Sequence, residues 1–400
     1  MKLGYGLGYL DLEPPGEFEV VLPEELPAAS DGEMERALIE PIGKHLTDLS
    51  GKSASILVSD ITRPAPSYLM LPPLQRMLKH MGVSDLKVIF ALGTHRPMVP
   101  SEEKVLLKDC IGLPHIQHDT KRCIPIGKTS RGTPVEILND VTSSDLIIAT
   151  GNIEYHYYAG YSGGAKAMLP GISSEQSIVR NHELMRDPRA VSGRLDSPVR
   201  QDMEEAATIG GLDYILNVVL NSRKEIVRAV SGDFIQAHRA GAQVVDRMYR
   251  RRVKPAEIVI TCAGGMPKDI NLFQAQKALD NAKGAAISGG TIILVAECSE
   301  GLGNPVFERW ADEAKCAEDC IERFGREYEF GGHKAAFLAK ESLNHDLILV
   351  SSVPSAKVRK CFFTPAKTLN EAISMAQERQ GKDARMIVMP HGNLTLAAQK

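Results

Sequence analysis

The feature that most constrains the fold is a series of short, continuous apolar runs, each of which ends in a polar or Gly-rich loop. The runs lie at 55–58, 86–92, 146–149, 258–260, 292–295, 347–350 and 386–389. Runs that are continuous rather than alternating are typical of strands buried on both faces. Because amphipathic helical patterns lie between them, the sequence predicts an α/β fold with mainly parallel sheets.

Local patterns refine this prediction. Helical spacing of apolar residues is found over 72–81, 233–248 and 368–379. A β-hairpin is predicted where 215–220 and 226–230 flank a turn-like Asn-Ser-Arg-Lys stretch. Two pairs have the spacing of a capping box at a helix start, namely Ser173 with Gln176 and Thr368 with Glu371.

The length of 400 residues favours two domains. The most probable boundary follows the basic run Arg247–Arg252, where a predicted helix ends and a new strand begins. The sequence therefore predicts a first domain over 1–252 and a second over 253–400, each with a mainly parallel sheet flanked by helices.

The charge balance excludes several classes of partner. Lys plus Arg is 47 and Asp plus Glu is 50, so the net charge is −3. That balance provides no general attraction for nucleic acid or an anionic membrane. No continuous apolar stretch approaches the ~18–20 residues of a membrane span, and the N-terminal segment lacks a signal-peptide pattern. We therefore expect a cytoplasmic protein, and the seven cysteines, without any CxxC, favour reduced thiols over a zinc site or a disulfide framework.

Two predicted strands run into similar segments, DITRP at 60–64 and GTHRP at 93–97. Each places a reactive side chain and an Arg-Pro beyond the carboxyl end of a strand, which is where ligands bind in open α/β sheets. His95 lies in the second segment, and His156 follows another strand. Two histidines at the ends of separate strands are suited to a two-base racemase, although each alone is more commonly structural.

The segment 155–171 is the most unusual in the chain, because it combines His156, several tyrosines, Ser162-Gly163-Gly164 and Lys166. Paired glycines allow a backbone to approach a ligand closely, and the lysine would point into the same space. A Gly-rich turn with a solvated lysine is an equally good interpretation. His182 follows on a predicted helix face, as a core histidine or as a single metal ligand.

A third segment, GGMPKDINLFQAQKAL at 264–279, follows the first strand of the second domain. If the chain is helical from Asn271, Gln274 and Lys277 lie on one face, where an amide and an ammonium would suit a carboxylate. An ordinary exposed polar face is the alternative.

Together, DITRP, GTHRP, HYYAGYSGGAKAMLPGI, the following His182 and GGMPKDINLFQAQKAL resemble the lactate racemase family, in the same order and from Asp60 to Leu279. The resemblance implies a racemase or epimerase of 2-hydroxy acids that carries a nickel-pincer nucleotide with Ni(II). It implies a cofactor-anchoring catalytic domain over 1–252, substrate-binding residues in 253–400, and an active site in the crevice between the domains.

The resemblance also implies a role for each matching residue. Lys166 would hold the cofactor covalently, and His182 would be the nickel ligand. His95 and His156 would be the general acid/base pair. The substrate would be bound by Arg63, Gln274 and Lys277, and the nucleotide would be positioned by Asp60, Thr62, Ser162, Gly163 and Gly164. Enzymes that build the cofactor would be partners for loading, alongside the small-molecule substrate.

Two departures leave the substrate open. The aromatic residue before Gln274 is Phe273, without a hydroxyl, and Trp310, the single Trp, lies in no matching motif. Lactate is therefore one candidate, and epimerisation of a sugar acid such as an aldonate, or of another larger 2-hydroxy acid, is the alternative within the same chemistry. A non-catalytic α/β protein that binds a carboxylate or a nucleotide is the alternative of a different class. The sequence predicts no oligomeric state.

Overall fold

The computed structural model of the chain describes residues 1–13 and 16–399. In the described residues the strands are β1 (Lys2–Tyr5), β2 (Gly8–Asp11), β3 (Phe18–Val20), β4 (Ser53–Ser59), β5 (Asp85–Ala91), β6 (His115–Gln117), β7 (Cys123–Lys128), β8 (Pro134–Leu138), β9 (Leu146–Asn152), β10 (Tyr155–His156), β11 (Gly160–Tyr161), β12 (Tyr214–Leu220), β13 (Ile226–Gly232), β14 (Arg250–Val253), β15 (Ala256–Cys262), β16 (Ala286–Val295), β17 (Asp346–Val350), β18 (Thr364–Ala366), β19 (Met386–Met389) and β20 (Leu396–Gln399). The α-helices are α1 (Glu33–Ile39), α2 (Ser67–His80), α3 (Pro100–Leu107), α4 (Glu175–Glu183), α5 (Pro198–Ile209), α6 (Gln236–Tyr249), α7 (Leu272–Ala282), α8 (Pro305–Glu313), α9 (Ala317–Arg326), α10 (Gly332–Asn344), α11 (Ser355–Lys360) and α12 (Leu369–Gln380).

The chain forms two compact units. The central unit comprises Glu25–Met248, and the terminal unit comprises Met1–Glu24 together with Tyr249–Lys400. The division near residue 249 lies close to the predicted boundary after Arg252. The first 24 residues, in contrast, pack with the C-terminal part of the chain and not with the domain 1–252 to which the sequence assigned them.

Strand pairing and burial explain where the first residues lie. Strand β3 pairs in parallel with β19, with Phe18 opposite Met386, and so forms one edge of the terminal sheet. Leu3 and Leu12 are fully buried in the apolar core of the same unit. A three-residue strand whose partner is more than 300 residues away leaves no periodic pattern in the sequence, and therefore a boundary drawn from local patterns misses it.

The central unit is built on a six-stranded sheet with the order β13-β12-β9-β4-β5-β6. Its neighbours pair in parallel except β12 and β13, which form the predicted hairpin. Strand β9 is buried along its whole length, and β4 is buried except at its ends. Continuous apolar runs are thus found on the innermost strands, as expected for strands covered on both faces.

The terminal unit has a second six-stranded sheet, with the order β18-β17-β16-β15-β19-β3 and parallel pairing throughout. Helices α7 to α12 connect its strands, and its core includes Ile258, Ile260, Ile293 and Val388. The predicted α/β class, with mainly parallel sheets in two units, is confirmed.

The two predicted helix caps differ in outcome. Thr368 caps α12, because its hydroxyl accepts a hydrogen bond from the Glu371 N–H at 3.1 Å. The capping box predicted at Ser173 is wrong. Ser174 caps α4 by accepting from the Ser177 N–H, whereas the Ser173 hydroxyl donates to the Met168 carbonyl. Two adjacent serines offer the same cap chemistry, and the backbone path selects between them.

Among the described residues, the helices are too short or too polar to cross a bilayer. The cysteines at positions 110, 123, 262, 298, 316, 320 and 361 are free thiols, and most of them are buried. They contribute to the packing as small apolar side chains.

We expect Leu12→Ala to destabilise the terminal unit by about 2–5 kcal/mol, the usual cost of a large-to-small change in a core. Leu12 is 1% exposed, whereas Leu7 in the same segment is 91% exposed. Leu7→Ala is therefore the matched control and should change stability by less than about 0.5 kcal/mol. Hydrogen exchange of the β15 and β16 amides measures the effect, and equal exchange in the two variants would contradict the assignment of this segment to the terminal core.

Candidate active site

The candidate active site lies in the central unit, at the edge of the sheet where three adjacent parallel strands end. The strands are β9, β4 and β5, in that order across the sheet. Asp60 and Arg63 follow β4, His95 follows β5, and His156 follows β9. Carboxyl ends of parallel strands meet at one edge, and the loop after β4 therefore lies between the two loops that bear the histidines.

Asp60 and His95 form the first half of the site. The Asp60 carboxylate is 4% exposed, and its Oδ2 lies 2.9 Å from His95 Nδ1. Its other oxygen accepts from the Thr62 N–H at 2.8 Å. Burial would raise the pKa of Asp60, but the hydrogen bonds from His95 and Thr62 outweigh it and lower the pKa to about 2. An ionised Asp60 draws the ring proton of His95 to Nδ1 and leaves Nε2 directed away from it.

His156 and Lys166 form the second half. Lys166 Nζ lies 3.3 Å from His156 Nε2. The chain between them leads from β10 through the Gly-rich segment. Burial, with further contributions from nearby cations that include Arg63 and Arg200, holds the pKa of both groups well below their usual values. Their uncharged forms are therefore favoured, because each added proton would meet a desolvated, cationic environment.

Arg63 acts on both halves of the site. Its Nη2 lies 3.4 Å from His95 Nε2, and its charge contributes to the lowered pKa of His156 and Lys166. The Arg63 side chain is exposed at the sheet edge. An exposed guanidinium beside the His95 imidazole suits a small carboxylate, because its planar fork can hold both oxygens.

His182 is buried on α4 and contacts Tyr158. The Tyr158 hydroxyl lies 2.6 Å from His182 Nε2, and the two ring centroids are 5.0 Å apart. Burial lowers the pKa of His182 to about 3, with a smaller contribution from Lys166. The imidazole is therefore neutral. Its Nε2 can carry the lone pair and accept a hydrogen bond from the Tyr158 hydroxyl.

The Gly-rich turn is closely packed, which explains its glycines. Gly163 has φ +72, and a Cβ there would lie 2.7 Å from Asn217 Oδ1. The Gly164 N–H donates to the same oxygen at 2.8 Å. The Ser162 hydroxyl is used within the loop, where it accepts from the Glu154 N–H and donates to the Asn152 carbonyl. A side chain at Gly163 would force the loop away from Asn217 on β12, and one at Gly164 would force it away from His238 on α6.

Several contributors to this loop carry no sequence signal that would single them out. Arg200 on α5 is fully buried and donates to the carbonyls of Ala159, Tyr161 and Gly163. His238 on α6 contacts the Ser162 carbonyl, with 2.8 Å between Nε2 and O. Their contacts join segments far apart in the chain, and a single sequence does not reveal such contacts.

Gln274 and Lys277 lie on α7 of the terminal unit. Asn271 caps this helix, with its side chain accepting from the Gln274 N–H at 3.0 Å, so the predicted helix start is confirmed. Gln274 is half-buried and Lys277 is exposed. The i, i+3 spacing places them on one side of the helix, and their role in binding a substrate stays a prediction.

Phe273 and Trp310 also lie in the terminal unit. The Phe273 ring packs 5.9 Å from that of Phe330, measured between centroids. Trp310 is buried, donates its indole N–H to Glu329 at 3.0 Å, and lies under Arg323. These contacts account for Trp310 as a core residue of this unit.

In the part of the chain that the structure describes, no group of three or more His, Cys, Asp or Glu side chains is arranged to hold a metal ion.

The chain matches known proteins over most of its length. Residues 5–193 match the family model described as the lactate racemase N-terminal domain, and residues 251–396 match the lactate racemase C-terminal domain. A lactate racemase of Thermoanaerobacterium thermosaccharolyticum is 36% identical over 384 residues, covering 92% of this chain and 90% of that protein. A lactate racemase of Lactiplantibacillus plantarum is 32% identical over 377 residues, covering 90% and 89%.

Solved structures agree with these matches. The lactate racemase apoprotein from Thermoanaerobacterium thermosaccharolyticum superposes with a TM-score of 0.90 at 34% identity, covering 99% of each chain. A protein from Thermotoga maritima superposes with a TM-score of 0.65 at 17% identity, covering 94% of this chain and all of that one, and shows the shared fold alone. Family membership favours an enzyme over a non-catalytic binding protein. The chain therefore belongs to the lactate racemase family, and it is a racemase, an enzyme of the isomerase class.

Proposed function

We propose that this chain inverts C2 of a 2-hydroxy carboxylic acid by reversible hydride transfer, with His95 and His156 as the two acid/base residues. The observation that carries the proposal is the order of the strands, because the loop after β4 that bears Arg63 lies between the loops of the two histidines. A carboxylate held by Arg63 would then have one imidazole on either side. Two enantiomers present their hydroxyl groups to opposite sides, and each would use its own base.

The cofactor implied by the resemblance is a nickel-pincer nucleotide, and the residues present fit it. Desolvation favours the uncharged form of the Lys166 amine, and only an uncharged amine can form an amide-type bond. His182 is neutral and suits a divalent metal such as Ni(II). Gly163 and Gly164 form the turn that leads to Lys166, and their close packing against Asn217 and His238 fixes that turn. The proposed cofactor-positioning set is completed by Asp60, Thr62 and Ser162.

When bound, this cofactor supplies an acceptor that takes the C2 hydride and returns it. The chain supplies everything else. His95 or His156 removes the hydroxyl proton as the substrate becomes a planar 2-keto acid, and the other histidine donates a proton to the oxygen after the plane has turned. Asp60 stabilises the positive charge that arises on His95, and Arg63 holds the carboxylate throughout.

We propose that Gln274 and Lys277 contribute to substrate binding through their amide and ammonium groups. The two curated relatives are named for lactate, and lactate is therefore the first substrate to test. Phe273 has no hydroxyl, and a sugar acid or another larger 2-hydroxy acid is the alternative. A panel of single-enantiomer 2-hydroxy acids, analysed by chiral chromatography, separates these possibilities.

The most direct test of the reaction uses one enantiomer of lactate with deuterium at C2, in ordinary water, with protein produced alongside the cofactor-building enzymes. We expect the opposite enantiomer to form with its label retained, because a hydride that returns to carbon does not exchange with water. His95→Gln and His156→Gln should each slow formation of the opposite enantiomer by at least ~10²-fold while nickel stays bound. His80→Gln, an exposed histidine on α2, is the control. Label lost to solvent, or normal racemisation by both variants, would contradict the proposal.

Asp60→Asn tests the electrostatic support of His95. We expect racemisation to fall by about 10²–10⁴-fold, because the amide keeps the shape of Asp60 but neither orients the ring nor stabilises its charged form. Asp145 is the matched control. Hydrogen bonds from Ser53, at the other end of β4, also lower the pKa of the Asp145 carboxyl to about 2. Asp145→Asn should racemise normally, and equal rates in both variants would refute a role for Asp60.

Intact mass spectrometry tests cofactor attachment. Protein produced with the cofactor-building enzymes and nickel should show a covalent mass increase that Lys166→Arg abolishes, because the guanidinium stays protonated and does not react. Lys382→Arg, at an exposed lysine, should retain the adduct. An adduct that persists in Lys166→Arg, or wild-type protein with neither adduct nor nickel, would overturn the assignment.

A further inference from the structure

Arg200 is a fully buried charge on α5 directed at the loop between His156 and Lys166. Its Nε donates to the Ala159 carbonyl at 3.3 Å, its Nη1 donates to the Gly163 carbonyl at 3.2 Å, and its Nη2 donates to the Tyr161 carbonyl. The three acceptors are the carbonyls of alternate residues along the 159–163 loop. One planar guanidinium, with five N–H groups in a fixed fork, can serve all three, whereas Lys and Gln lack that fork.

The charge of Arg200 is directed to the loop because the nearest carboxylate has another partner. Glu204, one turn further along α5, accepts two hydrogen bonds from Arg239, at 2.6 and 2.7 Å. Burial lowers the pKa of Arg200 to about 10, so the guanidinium is still protonated at neutral pH. A buried cation is costly and is retained where hydrogen bonds satisfy it, as these carbonyls do.

The surroundings of Lys166 show where this charge acts. His156 Nε2 is 3.3 Å from the Lys166 amine, and the Tyr158 ring centroid is 5.5 Å away. Besides burial, the charges that act on the amine are Arg63 and Arg200, which lower its pKa, and Glu154, which raises it. Arg63 is exposed and is available to a substrate, whereas Arg200 is buried and its positive charge is always present.

We propose that Arg200 is a positioning residue of the active site: its three hydrogen bonds to carbonyls fix the 159–163 loop, and its permanent charge next to the turn that leads to Lys166 makes that amine ready for acylation. The inference rests on the proposed function only for the use made of Lys166, and its test requires neither cofactor nor substrate. A missing cofactor adduct would therefore refute the proposed function and leave this inference standing.

The test is acetylation of the full-length apoprotein with acetyl N-hydroxysuccinimide ester, followed by peptide mass spectrometry across a range of pH. The uncharged amine takes the acetyl group, and N-hydroxysuccinimide leaves with the proton lost from nitrogen. The variants are Arg200→Gln, which removes the charge, and Arg200→Lys, which keeps the charge but loses the fork. Arg223→Gln, at an exposed arginine between β12 and β13, is the matched control, and exposed Lys382 is the internal reference in every sample.

We expect Arg200→Gln to reduce Lys166 acetylation at neutral pH by roughly tenfold, the effect of one pKa unit, and to move the inflection of the profile to higher pH. Arg200→Lys should keep the wild-type inflection while hydrogen exchange of the 159–163 amides accelerates, and Arg223→Gln should match the wild type. If Arg200→Lys shifts as far as Arg200→Gln, the role is structural only and the proposal fails. It also fails if Arg200→Gln shifts nothing.

The wild-type protein alone provides a second measurement if Arg200→Gln does not fold. The proposal requires the Lys166 profile to have its inflection far below that of Lys382, as an amine beside permanent cations must. Coincident inflections for the two lysines would overturn it.

Discussion

The site depends on the burial of basic side chains among other cations. Lys166, His156 and His182 are each desolvated, and their charged neighbours are mainly positive, so their pKa values are lowered. The uncharged form of each is therefore favoured. That single constraint would serve all three proposed roles, because acylation needs a free amine, metal binding needs a neutral imidazole, and proton abstraction needs a ring nitrogen with its lone pair.

At the same edge of the sheet, His95 lies in the opposite electrostatic environment. His95 is paired with the ionised Asp60 carboxylate, whereas His156 has Lys166 and lies within the field of Arg63 and Arg200. Before substrate arrives, positive charge is disfavoured on His156. A substrate carboxylate at Arg63 would offset one of the cations that act on His156 and so raise its pKa.

The sequence was sufficient for those parts of the fold and site that depend on local pattern. Continuous apolar runs predicted the strands, and the residues just beyond β4, β5 and β9 fell at one sheet edge because parallel strands end together. The helix from Asn271 that was assumed in placing Gln274 and Lys277 on one face is present, with Asn271 as its cap. The family resemblance supplied the roles of these residues, which composition and spacing alone left open.

What the sequence did not reveal depends on contacts between distant segments. Arg200 looks like an ordinary polar residue of an amphipathic helix, and its function follows only from the three carbonyls that face it. Leu3 and Leu12 lie in a different unit from the residues that follow them, because β3 pairs with β19. In the same way, Asn217 fixes Gly164 from a strand more than 50 residues later in the chain.

The site described above requires the His156 and His182 imidazoles to be uncharged at neutral pH. Nitrogen NMR of histidine-labelled apoprotein tests it most directly, because the two ring nitrogens report protonation and tautomer separately. We expect His156 and His182 to remain neutral at pH 5, well below the ordinary histidine pKa of ~6.5, with Nε2 of His182 unprotonated. Protonation of these two rings near pH 6.5 would contradict the account.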